Sequence, residues 1–306
     1  MDVETTDKIA VVTVTFNSEE VIEEFLKSLL AQTYEKFSLY VIDNASKDRT
    51  LNKLEDWDDC RITVIKNTAN LGVAGGNNQG IQLALEEGCD SILLINNDTV
   101  FEKTLLSKLL EVIKQNNCSI ATPKMMYHLS PDTIWYAGGF FNKRNGYMAH
   151  HRGINEKDLE QYNSLEKVEY APTCCTLIKK EVFADIGVMD EKYFVYADDT
   201  DFFYRIWRDG RHTMLYVPWI KFYHKVGSLT KSKRGNPESQ YGDFYVQYTT
   251  RNNIYYLKKQ KTIYAYFYII YYYIKINISF WLTGRWPRNI KTFLLLHKSF
   301  WDGLFY

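Results

Sequence analysis

Several short stretches of this chain gather residue types that can hold a cation, approach a phosphate or move a proton. Asn96-Asn97-Asp98 ends in a carboxylate, the hard oxygen donor that Mg2+ and Mn2+ prefer. NLGVAGGNNQG, residues 70–80, carries four glycines, and glycines let backbone N–H groups come close to anions. Asp198, Asp199 and Asp201 crowd the segment ADDTDF, where a carboxylate can act as a general base. Thr15-Phe16-Asn17 and Asp43-Asn44 add hydroxyl, carboxylate and amide groups beside an aromatic face. Each stretch also has a plainer reading. Asp98 and Asp43 can cap turns. Acidic residues at 198–201 suit the start of a helix, where the macrodipole favours negative charge.

The elements that must position these groups can be read from hydrophobic period. Ile9 to Phe16, Ser38 to Ile42, Arg61 to Ile65 and Ser91 to Ile95 are short apolar runs, predicted to be buried strands. Between them Ile22, Phe25, Leu26, Leu29 and Leu30 form a helical stripe, with Asn17 and Glu20 expected to cap it. Gly75 to Glu87 and the stripe Leu105, Leu106, Leu109, Val112 and Ile113 predict two further helices. Alternation at this spacing implies βαβ units and a mostly parallel sheet. The polar clusters at 15–17, 43–44, 67–78 and 96–98 all follow strands, at the carboxyl ends where open α/β sheets bind ligands.

Beyond residue 120 the pattern loosens. Trp135 to Gly153 reads as loops or short strands lining a site, and Val168 to Lys179 as a strand. Lys180 to Ile186 is expected to be a short helix, Asp198 to Gly210 an amphipathic helix and His212 to Val217 another strand.

The segments VVTVTFNSEE, VIDNASKDRT, NLGVAGGNNQG, LLINNDTVF, FVYADDTDFFYRIWRDG and FYHKVGS, in that order, resemble the motifs of family 2 glycosyltransferases of the GT-A fold. The likeness is greatest to the bacterial rhamnosyltransferase-like branch. It implies a Rossmann-like α/β fold with a mostly parallel sheet flanked by helices. The implied reaction is inverting transfer of a sugar from a nucleotide-diphosphate donor, dTDP-rhamnose or a UDP-hexose, to a hydroxyl of a glycan or lipid-linked acceptor.

Matched residue by residue, Asp98 takes the place of the carboxylate that holds Mg2+ or Mn2+, and His224 that of a further metal ligand or diphosphate contact. Asp199 matches the general base, and Asp198 stands where a Glu usually precedes it. Asp43 matches the acceptor for uracil or thymine N3–H, with Phe16 beside the base. Thr15, Asn17, Asn70, Gly72, Gly75, Asn78 and Asn97 complete the implied nucleotide site. Asn96 and Asn97 depart from the commoner aspartate-rich pattern, which implies weaker metal binding without donor.

Composition bounds the remaining alternatives. Among 306 residues, 46% apolar and 24% charged, five scattered cysteines (60, 89, 118, 174, 175) form no CxxC pair. This pattern points to reduced thiols in a cytoplasmic protein, with Cys174 and Cys175 read as small buried residues. The start, MDVETTDKIA, lacks the basic-then-apolar pattern of a signal peptide. No GxGxxG follows the first strand and no GxxxxGK[ST] is present, which disfavours dinucleotide and P-loop sites. Nothing points to a nucleic-acid partner. A sugar-1-phosphate nucleotidyltransferase, or a catalytically silent sugar-nucleotide-binding scaffold, stays open as an alternative.

From Phe244 to Trp301 there are nine Lys or Arg residues and no Asp or Glu, so the rest of the neutral chain carries a formal charge of minus nine. Thr262 to Ile274 is uncharged and rich in Tyr and Phe, too short at thirteen residues for the ~20 of a spanning helix. Such a segment suits the membrane interface, or else packing on the core or a second copy in a homo-oligomer. The expected organisation is a catalytic domain over 1–243, divided into a nucleotide-binding half (1–122) and an acceptor half (123–243). A helical extension over 244–306 is expected to be membrane-interfacial, on the inner face of the cell membrane, or oligomerising.

Overall fold

The structure is a computed structural model that describes residues 7–225, 242–283 and 290–306. The first half alternates strands and helices, with α2 and β5 additional to the expected elements: β1 (Ile9–Thr15), α1 (Ile22–Leu30), β2 (Phe37–Asp43), α2 (Thr50–Glu55), β3 (Ile62–Lys66), α3 (Gly72–Glu86), β4 (Ser91–Ile95), β5 (Thr99–Phe101) and α4 (Leu105–Gln115). The second half is strand-rich: β6 (Ile120–Tyr127), β7 (Ser130–Tyr136), β8 (Gly139–Asn142), β9 (Met148–His151), β10 (Glu166–Val168), β11 (Cys175–Lys179), α5 (Lys180–Ile186), α6 (Asp198–Asp209) and β12 (Met214–His224). Three helices end the chain, α7 (Asp243–Gln260), α8 (Ile263–Ile278) and α9 (Ile290–Phe305).

One ten-stranded mixed sheet, in the order β10-β12-β6-β11-β4-β1-β2-β3 with β5 and β7 off this path, organises the molecule. The run β4-β1-β2-β3 is parallel throughout. β1, β2 and β4 are almost wholly buried because helices cover them, which is why they read as unbroken apolar runs. α1 and α4 bury stripes of Ile22, Phe25, Leu26 and Leu29, and of Leu105, Leu106, Leu109 and Ile113.

Four local expectations are corrected. Asn17 does not cap α1, which begins at Ile22. At φ 54° Asn17 instead joins two loops, its N–H donating to Ser46 Oγ (2.9 Å) and its Oδ1 accepting from Lys47 N–H (2.8 Å). α3 starts at Gly72 rather than Gly75. Val168 to Lys179 is not one strand, because the chain leaves the sheet around Pro172, which has no N–H to offer a ladder. The strand expected at 212–217 runs on as β12 to His224. A register shift between Val217 and Lys221 accommodates Pro218 there.

The three C-terminal helices share the main core. Ile254, Tyr256 and Leu257 of α7, Ala265 and Ile269 of α8 and Phe300 of α9 are buried in the same apolar cluster as the sheet. No helix among the described residues is long and apolar enough to cross a membrane.

Candidate active site

The polar clusters that follow β1 to β4 meet at one edge of the parallel strands. Thr15 Oγ1 donates to Asp43 Oδ1 (2.9 Å), and Ser46 donates to both Asp43 oxygens, from Oγ (2.5 Å) and from N–H (3.0 Å). Asp43 is therefore 1% exposed and does close a turn, while one lone pair on Oδ2 stays available. Phe16, which follows Thr15, is 44% exposed, a large aromatic side chain left open to solvent. Asn97 is buried. Its Nδ2 donates to the Val14 carbonyl (2.6 Å), and its Oδ1 has no hydrogen-bond partner among the described residues.

The glycine-rich segment is built differently from a bare phosphate loop. Gly76 and Gly80 face β1, where an added Cβ would lie 2.7 Å from Val14 Cγ2 and 2.3 Å from Val12 Cγ1. They let α3 lie close on the sheet. Gly75 borders Leu71, and Asn78 ties α3 to the next layer by donating to the Met189 carbonyl and Glu191 (both 2.9 Å). Gly72 has φ +77°, and its N–H donates to Asn70 Oδ1 (2.8 Å). The next amide, Val73 N–H, donates to the Phe194 carbonyl (2.6 Å).

Asp98 and His224, 126 residues apart in sequence, are brought together by strand pairing. β5 runs antiparallel to β12, with Thr99 opposite His224, and Lys225 N–H donates to the Asp98 carbonyl (2.9 Å). His224 Nε2 lies 3.2 Å from Asp98 Oδ1, with both side chains nearly buried. No group of three or more His, Cys, Asp or Glu able to hold a metal occurs among the described residues. An imidazole nitrogen facing a carboxylate still fits a divalent cation whose other ligands are diphosphate oxygens.

α6 carries the acidic pair into the site. Its first turn holds Asp198, Asp199 and Asp201, which the macrodipole favours by about 0.3–1 kcal/mol each. Burying a carboxylate costs several kcal/mol, so burial wins. It raises the carboxyls of both Asp198 and Asp199 above the usual range, and for Asp198 the neighbouring Asp199 charge adds to it. Tyr170 O–H donates to Asp199 Oδ2 (2.7 Å) and Thr200 N–H to Oδ1 (2.7 Å), both favouring its charged form. The hydrogen bonds to Asp199 thus favour its charged form, which the neighbouring charge opposes at Asp198. Asp201 orients neighbours instead, accepting from Arg205 Nε and Lys259 Nζ (3.0 Å each).

A row of rings links the two halves of the site. Trp135 stands edge-on to both His224 (4.8 Å between centroids) and His151 (4.7 Å), and His151 stacks on Tyr170 (5.6 Å). Burial lowers the His151 imidazole to about 4, so this ring is neutral. Cys174 is buried where its thiol senses the charges of both Asp98 and Asp199, and burial pushes that thiol up and leaves it inert. Val226-Gly227-Ser228 of the last motif lie outside the described residues.

Sequence reasoning missed Tyr170 and the loop before α6. Phe194 (φ 63°), Tyr196 (φ 65°) and Ala197 (φ 62°) have positive φ there, a concentration of backbone strain that single-residue types do not announce. The available signal for Tyr170 was Pro172, which ends strand pairing and frees the preceding residues to face the site.

Comparison with known proteins bears on the family and the fold. The family model described as Glycosyl transferase family 2 matches residues 10–187. A low-salt glycan biosynthesis hexosyltransferase, Agl10, of Haloferax volcanii is 27% identical over 67% of this chain, which spans 63% of that relative's length. The dTDP-rhamnosyl transferase RfbF of Shigella flexneri is 27% identical over 72% of this chain and 69% of its own. An N-acetylglucosaminyl-diphospho-decaprenol L-rhamnosyltransferase of Mycobacterium tuberculosis is 24% identical over 81% of this chain and 86% of its own. The crystal structure of S. aureus TarS 1-349 shares the fold, with a TM-score of 0.59 at 15% identity over 97% of this chain and 81% of that one.

Proposed function

The chain belongs to glycosyl transferase family 2, and on that premise we propose that it is an inverting, metal-assisted hexosyltransferase acting in cell-surface glycan synthesis. The observation that carries the reading is the convergence of Asp98, His224 and Asp199 around Cys174 and the Trp135–His151–Tyr170 row. The donor is a nucleotide-diphosphate sugar, dTDP-rhamnose first and UDP-hexoses next, as the names of the Shigella and Mycobacterium relatives favour. Phe16 stacks on the base and Asp43 accepts its N3–H. Asn97 Oδ1, a buried acceptor costly to leave unmatched, takes a ribose hydroxyl. Thr15, Asn17, Asn70, Gly72, Gly75 and Asn78 shape this half by fixing loops and the start of α3.

Asp98 and His224 would hold Mg2+ or Mn2+ against the diphosphate. When bound, the ion offsets charge on the departing nucleotide. Asp199 takes the proton of the acceptor hydroxyl as that oxygen attacks the anomeric carbon. Tyr170 aims the carboxylate and His151, neutral, packs behind Tyr170 without adding charge. Inversion follows from this single displacement.

The acceptor is a lipid-linked glycan, in keeping with the decaprenol-linked acceptor named for the Mycobacterium relative. α8 supports a place of work at the inner face of a membrane. Its outward face bears Ile263, Phe267, Ile270, Ile274 and Ile278, all exposed, with Lys275 at its border.

A thermal-shift screen of dTDP-rhamnose, UDP-glucose and UDP-N-acetylglucosamine, each with and without Mn2+, tests donor and metal together. Stabilisation by one donor that needs the metal is expected. No stabilisation by any donor would turn the reading towards a non-catalytic role.

A further inference from the structure

We propose that Asn252, on α7 of the C-terminal extension, is a positioning residue that holds the strained loop delivering Asp198 and Asp199 to the site. The inference rests on the reading of Asp199 as the base. Asn252 is 1% exposed. Its Nδ2 lies 2.8 Å from the Tyr193 carbonyl, 2.7 Å from that of Val195 and 2.9 Å from that of Tyr196. Two N–H bonds thus serve three acceptors, so at least one is shared. Only the nitrogen end of the amide can face three carbonyls, and the oxygen end accepts from Arg251 Nε (2.8 Å). That same guanidinium donates from Nη2 to the carbonyls of Lys192 and Tyr193 (3.1 Å each).

The loop's carbonyls can be accounted for one by one. Those of Tyr193, Val195 and Tyr196 go to Asn252, that of Phe194 goes to Val73 N–H at the start of α3, and that of Ala197 accepts Asp201 N–H within α6. Phe194, Tyr196 and Ala197 have positive φ, a conformation that side-chain-bearing residues rarely adopt and that persists only where surroundings impose it. Asn252 imposes it from one side and Gly72-Val73 from the other. Lys259, one further helical stretch along α7, bridges Asp190 (2.7 Å) and Asp201 (3.0 Å) across the same loop. The extension therefore completes the catalytic half, and a shift of α7 is transmitted to the base.

The test uses the full chain. Asn252→Asp keeps the volume but replaces the donor nitrogen with an oxygen facing carbonyls; Asn252→Ser keeps one donor and serves if the first variant does not fold. Gln32→Ala removes a comparably buried amide that ties the end of α1 to Glu102 and Leu106 without touching the 190–201 segment, and controls for lost stability. Hydrogen exchange of the 190–201 segment is read beside release of nucleoside diphosphate from the sugar nucleotide that the unaltered protein turns over. Both Asn252 variants are expected to exchange faster in 190–201 and to lose on the order of 10- to 100-fold in kcat, with donor KM within about threefold. Gln32→Ala should lower Tm without either change. Unchanged protection of 190–201 in the Asn252 variants, or a kcat loss no larger than that of Gln32→Ala, overturns the proposal. Asp199→Asn assayed in parallel tests the base separately, since its turnover is independent of loop protection.

Discussion

Asp198 and Asp199 are adjacent in sequence yet sit in different surroundings. Asp199 receives a phenol and a backbone amide; Asp198 is buried with its neighbour's charge beside it. Asp199→Asn is expected to reduce transfer by about 10²–10⁴-fold, the usual worth of a general base, while donor binding by calorimetry stays near normal. Near-normal turnover would remove Asp199 from the mechanism. Asp198 carries a stability consequence as well. Its folded-state carboxyl is raised, so on increasing pH the unfolded chain gives up this proton first. From the ordinary carboxylate range upward the native state therefore loses stability, until the folded group also ionises. Asn mimics the protonated form, so the Tm of Asp198→Asn minus that of the unaltered protein should grow more positive from pH 5 to pH 9. A difference constant across that range would contradict the raised carboxyl.

At the scale of elements, α3 shows how glycines legible in the sequence acquired another use. NLGVAGGNNQG was read for phosphate approach, but Gly76 and Gly80 are spent on contact with Val14 and Val12 of β1. Adding one methyl at Gly80 should cost about 1–3 kcal/mol through overpacking, read as a lower denaturation midpoint for Gly80→Ala. Unchanged stability would mean that α3 can move off the sheet freely. The same scale separates what could be read from what could not. Buried parallel strands and amphipathic helices declare themselves by period, so β1 to β4, α1 and α4 were legible. β5 was not, because three residues carry too little pattern, yet its pairing with β12 brings Asp98 to His224. β12 was cut short in the sequence reading at Pro218, because a bulge that tolerates proline leaves no local sign.

For the whole molecule, the extension has one face buried in the core and one exposed. Its inner residues, Ala265, Ile269 and Phe300, belong to the main core, so deleting the extension would expose that core. Substituting the outer face is the cleaner probe. Phe267→Glu, Ile270→Glu and Ile274→Glu together should abolish flotation with phosphatidylglycerol vesicles and leave Tm nearly unchanged. Retained flotation would exclude α8 as the anchor, and a fall in molecular mass of the free protein would assign the face to a second copy. Arg285 and Arg288, two of the nine basic residues of this segment, lie outside the described residues.

By itself the sequence determined the α/β class and put its polar clusters at the ends of strands, because hydrophobic period and motif order are local properties. Its likeness to family 2 glycosyltransferases also anticipated the family match. Only the tertiary structure decided that Asp98 faces His224, that Tyr170 donates to Asp199, and that Asn252 of the tail holds the loop before α6. The physical reason is that hydrogen bonds and ion pairs at 2.7–3.2 Å between residues 29 to 126 positions apart depend on packing of whole elements. No periodicity within either partner's own segment records them.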